Sequence, residues 1–273
     1  MSAASSASIR SSIISRLRAA GCVFAEDEAR LLISAARTPA DLTAMVDRRA
    51  AGLPLEHVIG WAEFCGLRIA VDPGVFIPRP RTEFLVRQAE FLAGRAAGPG
   101  ENRDRVVVLD LCCGSGALGL ALATVLAGAE LHAADVDPDA VRCARRNTST
   151  VGGQVYQGDL YQPLPATLRG RVGILVANVP YVPTGEVSLL PPEARIHEPR
   201  AALDGGQDGL DVLRRVAGEA PGWLASSGWL LIETSEAQAP LATDAFSRAG
   251  LIPHVERSAE FSATVVMGTM PPT

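Results

Sequence analysis

Val106-Val-Val-Leu-Asp-Leu-Cys-Cys-Gly-Ser-Gly-Ala-Leu-Gly119 decides the fold. An apolar run, a glycine-containing turn and the start of an apolar helical stretch follow one another, the pattern of a buried strand turning into a helix. Gly114 and Gly116 let the backbone approach a ligand, and helix N–H groups begin just beyond. Gly114-x-Gly116-x-x-Gly119 also satisfies the dinucleotide fingerprint, which alone is a weak signal. From here β and α patterns alternate. Strands are expected at 106–111, 130–135, 154–158, 172–178, 228–233, 252–257 and 263–268, and helices at 116–127, 138–148, 208–220 and 236–249. Apolar strands separated by helical lengths predict an α/β fold, a doubly wound sheet with helices on both faces. The last two strands follow each other without a helix, so the final one is expected to be antiparallel.

Upstream the pattern changes. Short helices are expected at 8–20, 26–36 and 39–51, with a turn near 54–58, punctuated by Thr38-Pro39 and Gly52-Leu-Pro54. Glu63 to Val71 has two β-leaning halves and reads as a hairpin. Val75 to Glu83 is expected to run extended, since Pro78 and Pro80 turn their predecessors away from helix. A helix at 82–94 and a polar surface loop at 98–104 complete the connection. The Ser/Arg-rich opening is free of acids before Glu26, as in a mitochondrial transit peptide. Ile9, Ile13, Ile14 and Leu17 fall at helical spacing and favour an ordinary first helix.

The 273 residues carry 48% apolar side chains, enough for a well-packed globular protein. All 25 basic residues are arginine, spread along the chain without a basic cluster. With a net charge of −5, a broad duplex-binding face is excluded and no stable nucleic-acid binding is expected. The five cysteines have no repeated spacing, and the adjacent Cys112 and Cys113 suit neither a disulfide nor a metal site, so a reducing, cytoplasmic setting is expected. The apolar stretch 116–129 is too short and too rich in Gly and Ala to span a membrane.

Asp135 closes the second strand of the alternating region, where a carboxylate takes the two hydroxyls of a ribose. Asp159-Leu160 follow the third strand and offer an acceptor for an adenine amino group. A capping or turn role for Asp159 stays open, and Asp137 and Asp139 read as N-cap and first-turn residues. Two acids at successive strand ends fit a nucleoside without a pyrophosphate. A nicotinamide enzyme needs a proton relay as well, and His132 lies within a strand, where a structural role is the simpler reading.

The fourth strand ends in Asn178-Val179-Pro180-Tyr181. An Asn oxygen and the next backbone carbonyl accept both N–H bonds of a planar NH2, Pro180 stiffens the loop, and Tyr181 stacks on the plane. Such a grip presents a weak nitrogen nucleophile to an electrophile, and the sulfonium methyl of S-adenosylmethionine is the electrophile this pairing requires. A base amine held in the same loop, by an amino-methyltransferase acting on a nucleic-acid base, is an alternative. A cofactor-binding interaction protein that no longer catalyses is another.

Glu56-His-Val-Ile-Gly60, Glu63-Phe-Cys-Gly-Leu-Arg68, Val71-Asp-Pro-Gly-Val-Phe-Ile-Pro-Arg-Pro80 and Thr82-Glu83 resemble the N(5)-glutamine methyltransferases of peptide release factors, the PrmC/HemK family. So do Asp110 to Gly116, Asp135, Asn178 to Tyr181, and Glu198-Pro-x-x-Ala-Leu203-Asp-Gly-Gly206. The resemblance runs in order from about residue 53 to residue 234. It implies a helical substrate-recognition domain (1–60), a hairpin and extended linker (61–81) and a class I methyltransferase domain with a seven-stranded sheet (82–273). It further implies methyl transfer to the glutamine of a release factor's Gly-Gly-Gln loop. Mapped by motif, Cys112, Cys113, Gly114, Ser115 and Gly116 line the methionine and ribose of the cofactor, Asp135 binds ribose, and Asp159 and Leu160 flank adenine. Asn178, which also borders the cofactor, holds the acceptor amide together with Val179, Pro180 and Tyr181.

Three positions depart from the family pattern: Val179 replaces a proline, Arg81 replaces an acid, and Arg257 to Thr264 lacks the usual Gly-x-x-Arg turn. Gly205-Gly206-Gln207 repeats the expected substrate motif within this chain and is read as coincidence.

Overall fold

The computed structural model describes residues 3–96 and 106–271. The polar stretch 98–104, expected as a surface loop, lies outside the described residues.

Four helices open the chain: α1 (Ala3–Ala19), α2 (Ala25–Ala35), α3 (Pro39–Ala50) and α4 (Leu55–Ile59). The first starts five residues ahead of the expected position, because the Ala/Ser run before its first apolar anchor also favours helix. At α3, Thr38 caps the Asp41 N–H and Pro39 occupies the first turn. Ile13, Leu17, Ala29, Leu32, Val46 and Val58 bury a small core among these helices. Within it Arg49 makes two bonds to Glu28, at 2.6 and 3.0 Å, so the buried guanidinium is matched by a carboxylate.

The expected hairpin forms from β1 (Trp61–Phe64) and β2 (Leu67–Ala70). Cys65 and Gly66 both have positive φ, 50° and 70°, as the tight turn between right-twisted strands demands. The chain then runs without regular structure to Arg79, makes a single turn at Pro80–Thr82, and enters α5 (Glu83–Ala96).

The larger unit follows as β3 (Val107–Leu111), α6 (Ala117–Val125), β4 (Glu130–Asp135), α7 (Pro138–Thr148), β5 (Gln154–Gln157), β6 (Val172–Ala177), α8 (Pro192–His197), α9 (Asp211–Glu219), β7 (Leu224–Thr234), α10 (Ala239–Arg248), β8 (Ile252–Ser258) and β9 (Ala263–Thr269). Its seven-stranded sheet has the order β5-β4-β3-β6-β7-β9-β8. The pairs from β5 to β7 are parallel, and β9 enters antiparallel between β7 and β8. One face buries Leu85, Val108, Leu122, Ile174 and Val265 under α5 and α6; the other buries Leu109, Leu175, Leu213, Leu230 and Phe246 under α9 and α10.

Some boundaries differ from the sequence expectation. α9 begins at Asp211, not 208, because Asp208 caps the Leu210 N–H and Gly209 turns left-handed (φ 78°). α10 begins at Ala239, not 236, after a turn in which the Gln238 N–H bonds to Ser235. β7 begins at Leu224, not 228, and carries an irregularity that lets its early residues pair again with β6. α8 was not expected at all; Pro191-Pro192 reads as a breaker, yet Pro192 sits in its first turn, where the missing N–H costs nothing. His132 is structural: its ring nitrogens meet the Tyr156 hydroxyl at 3.1 Å and Glu130 at 2.9 Å.

Candidate active site

A cavity of about 700 Å³ opens at the carboxyl ends of β3, β4 and β6 and continues to α8 and the segment before α5. This is the position at which an open α/β sheet leaves a crevice. At one end the chain leaves β3 with Cys112 and Gly114 in the left-handed region (φ 54° and 53°), and Cys112, Cys113, Gly114 and Ser115 line the cavity. Gly116 does not line it. A Cβ there would lie 3.1 Å from Ala144 and 3.2 Å from Thr148, so this glycine serves the packing of α6 on α7. Gly119 allows helix to approach sheet, since a Cβ would come within 2.9 Å of Leu131.

The Asp135 carboxylate is held by two backbone donors, Gly114 N–H on Oδ2 at 2.8 Å and Asp137 N–H on Oδ1 at 2.9 Å. Each oxygen keeps lone-pair capacity toward the cavity. Burial raises its pKa, and the two backbone bonds oppose that shift. Beneath the loop, Asp110 is fully buried. Its carboxyl is pushed up to about 7 by loss of water, against a lowering bond from Gly119 N–H. Burial also raises both thiols, so Cys112 and Cys113 are neutral. Asp159 and Leu160 lie on the same wall, Leu160 with φ 49°, and Asp159 pairs with Arg215 of α9 at 2.6 Å.

At the other end Asn178, Val179, Pro180 and Tyr181 follow β6 and all border the cavity. The Asn178 side chain donates from Nδ2 to the Thr82 hydroxyl oxygen at 3.4 Å, leaving Oδ1 as an acceptor. The Val179 side chain is 2% exposed and packs in the core with Leu109, Leu111 and Ile232. Its carbonyl has no hydrogen-bond partner among the described residues. Where proline would stiffen the loop covalently, burial of the Val179 side chain anchors it instead. Tyr181 donates its hydroxyl to Glu233 at 3.3 Å and also receives a bond from Arg81. Burial and then the Glu233 charge push its phenol up to about 12, so it stays protonated.

Two features explain the unusual residues around this loop. Arg81, where the family pattern has an acid, bonds the buried Glu233 at 3.0 Å and stacks 5.7 Å from the Tyr181 ring centre. Gly205 and Gly209 are steric necessities. A Cβ at Gly205 would lie 2.5 Å from the Pro180 carbonyl oxygen, and one at Gly209 would lie 2.3 Å from that of Tyr181. The internal Gly-Gly-Gln sequence is therefore half of a turn that supports the loop.

Sequence reading missed the groups that hold the loop: Thr82, Glu198, Glu233 and Gln238. Glu198 accepts from the Ile77 N–H at 3.3 Å and from Arg79 at 2.5 Å, and Gln238 donates to the Tyr181 carbonyl. A signal existed for Glu233, a lone acid closing the apolar run Leu230-Leu-Ile232. The rim is tied to the helical region as well, since Arg49 reaches Glu193 of α8 at 2.6 Å.

The sequence model of the family described as "Methyltransferase small domain" matches residues 99–208. A release factor glutamine methyltransferase of Geobacter sulfurreducens is 41% identical over 76% of this chain and 69% of its own length. The chain belongs to the release factor glutamine methyltransferase family. A family member from Mycolicibacterium smegmatis is 37% identical over 82% of the chain and 78% of its own length. Among solved structures, a methyltransferase from Pyrococcus furiosus aligns with TM-score 0.52 at 14% identity, covering 84% of this chain and 98% of the other. The T. thermophilus 16S rRNA methyltransferase RsmC, solved with AdoMet and guanosine, gives 0.52 at 23% identity, covering 77% and 50%. These two likenesses show a shared methyltransferase fold. The cofactor is S-adenosylmethionine.

Proposed function

We propose that this protein methylates the side-chain amide nitrogen of the glutamine in the Gly-Gly-Gln loop of a peptide chain release factor. The observation that carries the reading is the pair of free acceptors at the end of β6. Asn178 and Val179 both border the cavity, and among the described residues neither Asn178 Oδ1 nor the Val179 carbonyl has a hydrogen-bond partner.

The cofactor end suits S-adenosylmethionine by its donor set. The carboxylate of Asp135, fixed by two N–H bonds, offers acceptors to two ribose hydroxyls. The strand-end loop has three left-handed residues, Cys112, Gly114 and Gly116, and a ligand approaches the Gly114 backbone without meeting a side chain of that residue. The Asp135 carboxyl, held by two N–H donors at the cavity wall, is the acidic group that faces a cationic ligand here. When bound, S-adenosylmethionine supplies an electrophilic methyl on a positively charged sulfur.

The chain's residues prepare the acceptor. Asn178 Oδ1 takes one amide N–H and the Val179 carbonyl takes the other, fixing the plane of the NH2 and raising electron density on nitrogen as positive charge develops. Tyr181 walls the plane, and Pro180 limits the loop's freedom. Much of the rate gain comes from orientation, because an amide nitrogen is a poor nucleophile. The methylated amide nitrogen is strongly acidic and passes its surplus proton along one of the two acceptor bonds to water. The division of labour that goes with this reading assigns residues 1–60 to recognition of the protein substrate, 61–81 to a linker and 82–273 to methyl transfer.

Mass spectrometry of a release factor incubated with this protein and S-adenosylmethionine tests the reading. A gain of one methyl on the Gly-Gly-Gln glutamine is expected. Absence of methyl transfer, with the cofactor bound, overturns it.

A further inference from the structure

Residues 77–82 form a strap along the cavity, hooked to the site by a series of polar contacts. The Ile77 N–H and Arg79 hold Glu198, and Arg81 holds Glu233 and the Tyr181 hydroxyl. The last hook is different, because it touches the residue that meets the acceptor. Thr82, 3% exposed, offers its hydroxyl oxygen to Nδ2 of Asn178 at 3.4 Å.

A carboxamide has one accepting end and one donating end, and rotation by half a turn about its last bond exchanges them at little intrinsic cost. With Oδ1 toward the acceptor, Asn178 receives an N–H. With Nδ2 toward it, two NH2 groups face each other and nothing is received. A hydroxyl accepts from Nδ2 or donates to Oδ1, so a bond to it fixes the plane of the carboxamide, and the substrate NH2 favours the state with Oδ1 toward it.

We propose that Thr82 is a positioning residue: its buried hydroxyl bonds the Asn178 carboxamide and fixes the plane of that group against the strap, with Nδ2 on the hydroxyl and Oδ1 left for the substrate amide. The inference rests on the methyl-transfer reading above. The contact is long in the free protein, as is common for catalytic hydrogen bonds before substrate tightens the site. Thr82 touches neither methyl donor nor acceptor in this scheme; it acts through Asn178.

The test compares T82V, which keeps the shape and removes the hydroxyl, with T82S, which keeps the hydroxyl. Release-factor methylation by T82V is expected to lose about tenfold in kcat, the worth of one hydrogen bond. Cofactor Kd and thermal midpoint should stay at the wild-type values, and T82S should keep at least half the rate. A double-mutant cycle supplies the readout that a purely structural role leaves untouched. In the N178A background the T82V change should have no further effect. If T82V loses cofactor binding, T82A against T82S asks the same question, with alanine expected to fall and serine to hold. Equal loss in valine and serine variants, an unchanged kcat in T82V, or full additivity with N178A overturns the proposal. Wild-type protein that transfers no methyl defeats the functional reading itself, and the proposal falls with it.

Discussion

Gln238 pins Tyr181 from below: its Nε2 donates to the Tyr181 carbonyl at 2.9 Å and to the Asp208 carbonyl at 3.0 Å. One side chain from the turn before α10 thus joins the acceptor loop to the turn before α9. Replacing it with leucine leaves two carbonyls without a donor. Q238L is expected to lose about 1–3 kcal/mol of stability in urea titration. Its methylation rate should drop several-fold while cofactor affinity, measured by calorimetry, stays as in wild type.

Asn178→Ala removes one of the two acceptors on the substrate amide. Loss of a donor or acceptor aimed at developing charge lowers turnover by about 10²–10³. Steady-state methylation of a release factor should show that drop in kcat. Correct folding of the variant is checked by an unchanged thermal midpoint.

Val179→Pro restores the residue that the family pattern has at this position. Among the described residues the Val179 N–H has no backbone partner for proline to remove. Because core packing and Gln238 already hold the loop, turnover of V179P should stay within about threefold of wild type. Val179→Ala opens a small void instead and should cost about 1–2 kcal/mol in denaturant unfolding.

Asp110 makes stability depend on pH. Its folded pKa, about 7, lies above the ordinary carboxylate value of 3.8. Between these values the folded protein keeps a proton that the unfolded chain has lost. The contribution is complete below about pH 4 and disappears as pH rises through 7. The stability of wild type relative to Asp110→Asn should therefore fall across that window, by at most about 1.4 kcal/mol per pH unit, and level off above it. Urea titrations of both proteins from pH 4 to pH 8 give the difference directly.

The fold was legible where local pattern and tertiary role agree. Val106 to Gly119 announced strand, turn and helix, and Asp137-Pro138 announced the start of α7, because those signals act within a few residues. The antiparallel final strand followed from the missing crossover between 257 and 263. The place of Asn178 beside the cavity was legible because four consecutive residues, Asn178 to Tyr181, carry the pattern. Thr82 and Gln238 were not, since their roles depend on partners far along the chain, 96 positions away for Thr82 and 57 for Gln238. At Gly116 two roles of glycine overlap. A glycine near a ligand and a glycine under a helix look alike in sequence, and only the approach of Ala144 and Thr148 separates them.

The place of β9 between β7 and β8 bears on how the protein is made. β7 carries Glu233 near its end and leads to Gln238, so the acceptor loop leans on a strand whose second neighbour, β9, follows the other strands of the sheet in sequence. Synthesis delivers β9 after the other six strands of the sheet, and until it docks β7 has an open edge. The support beneath the acceptor loop is complete only once β9 has docked between β7 and β8.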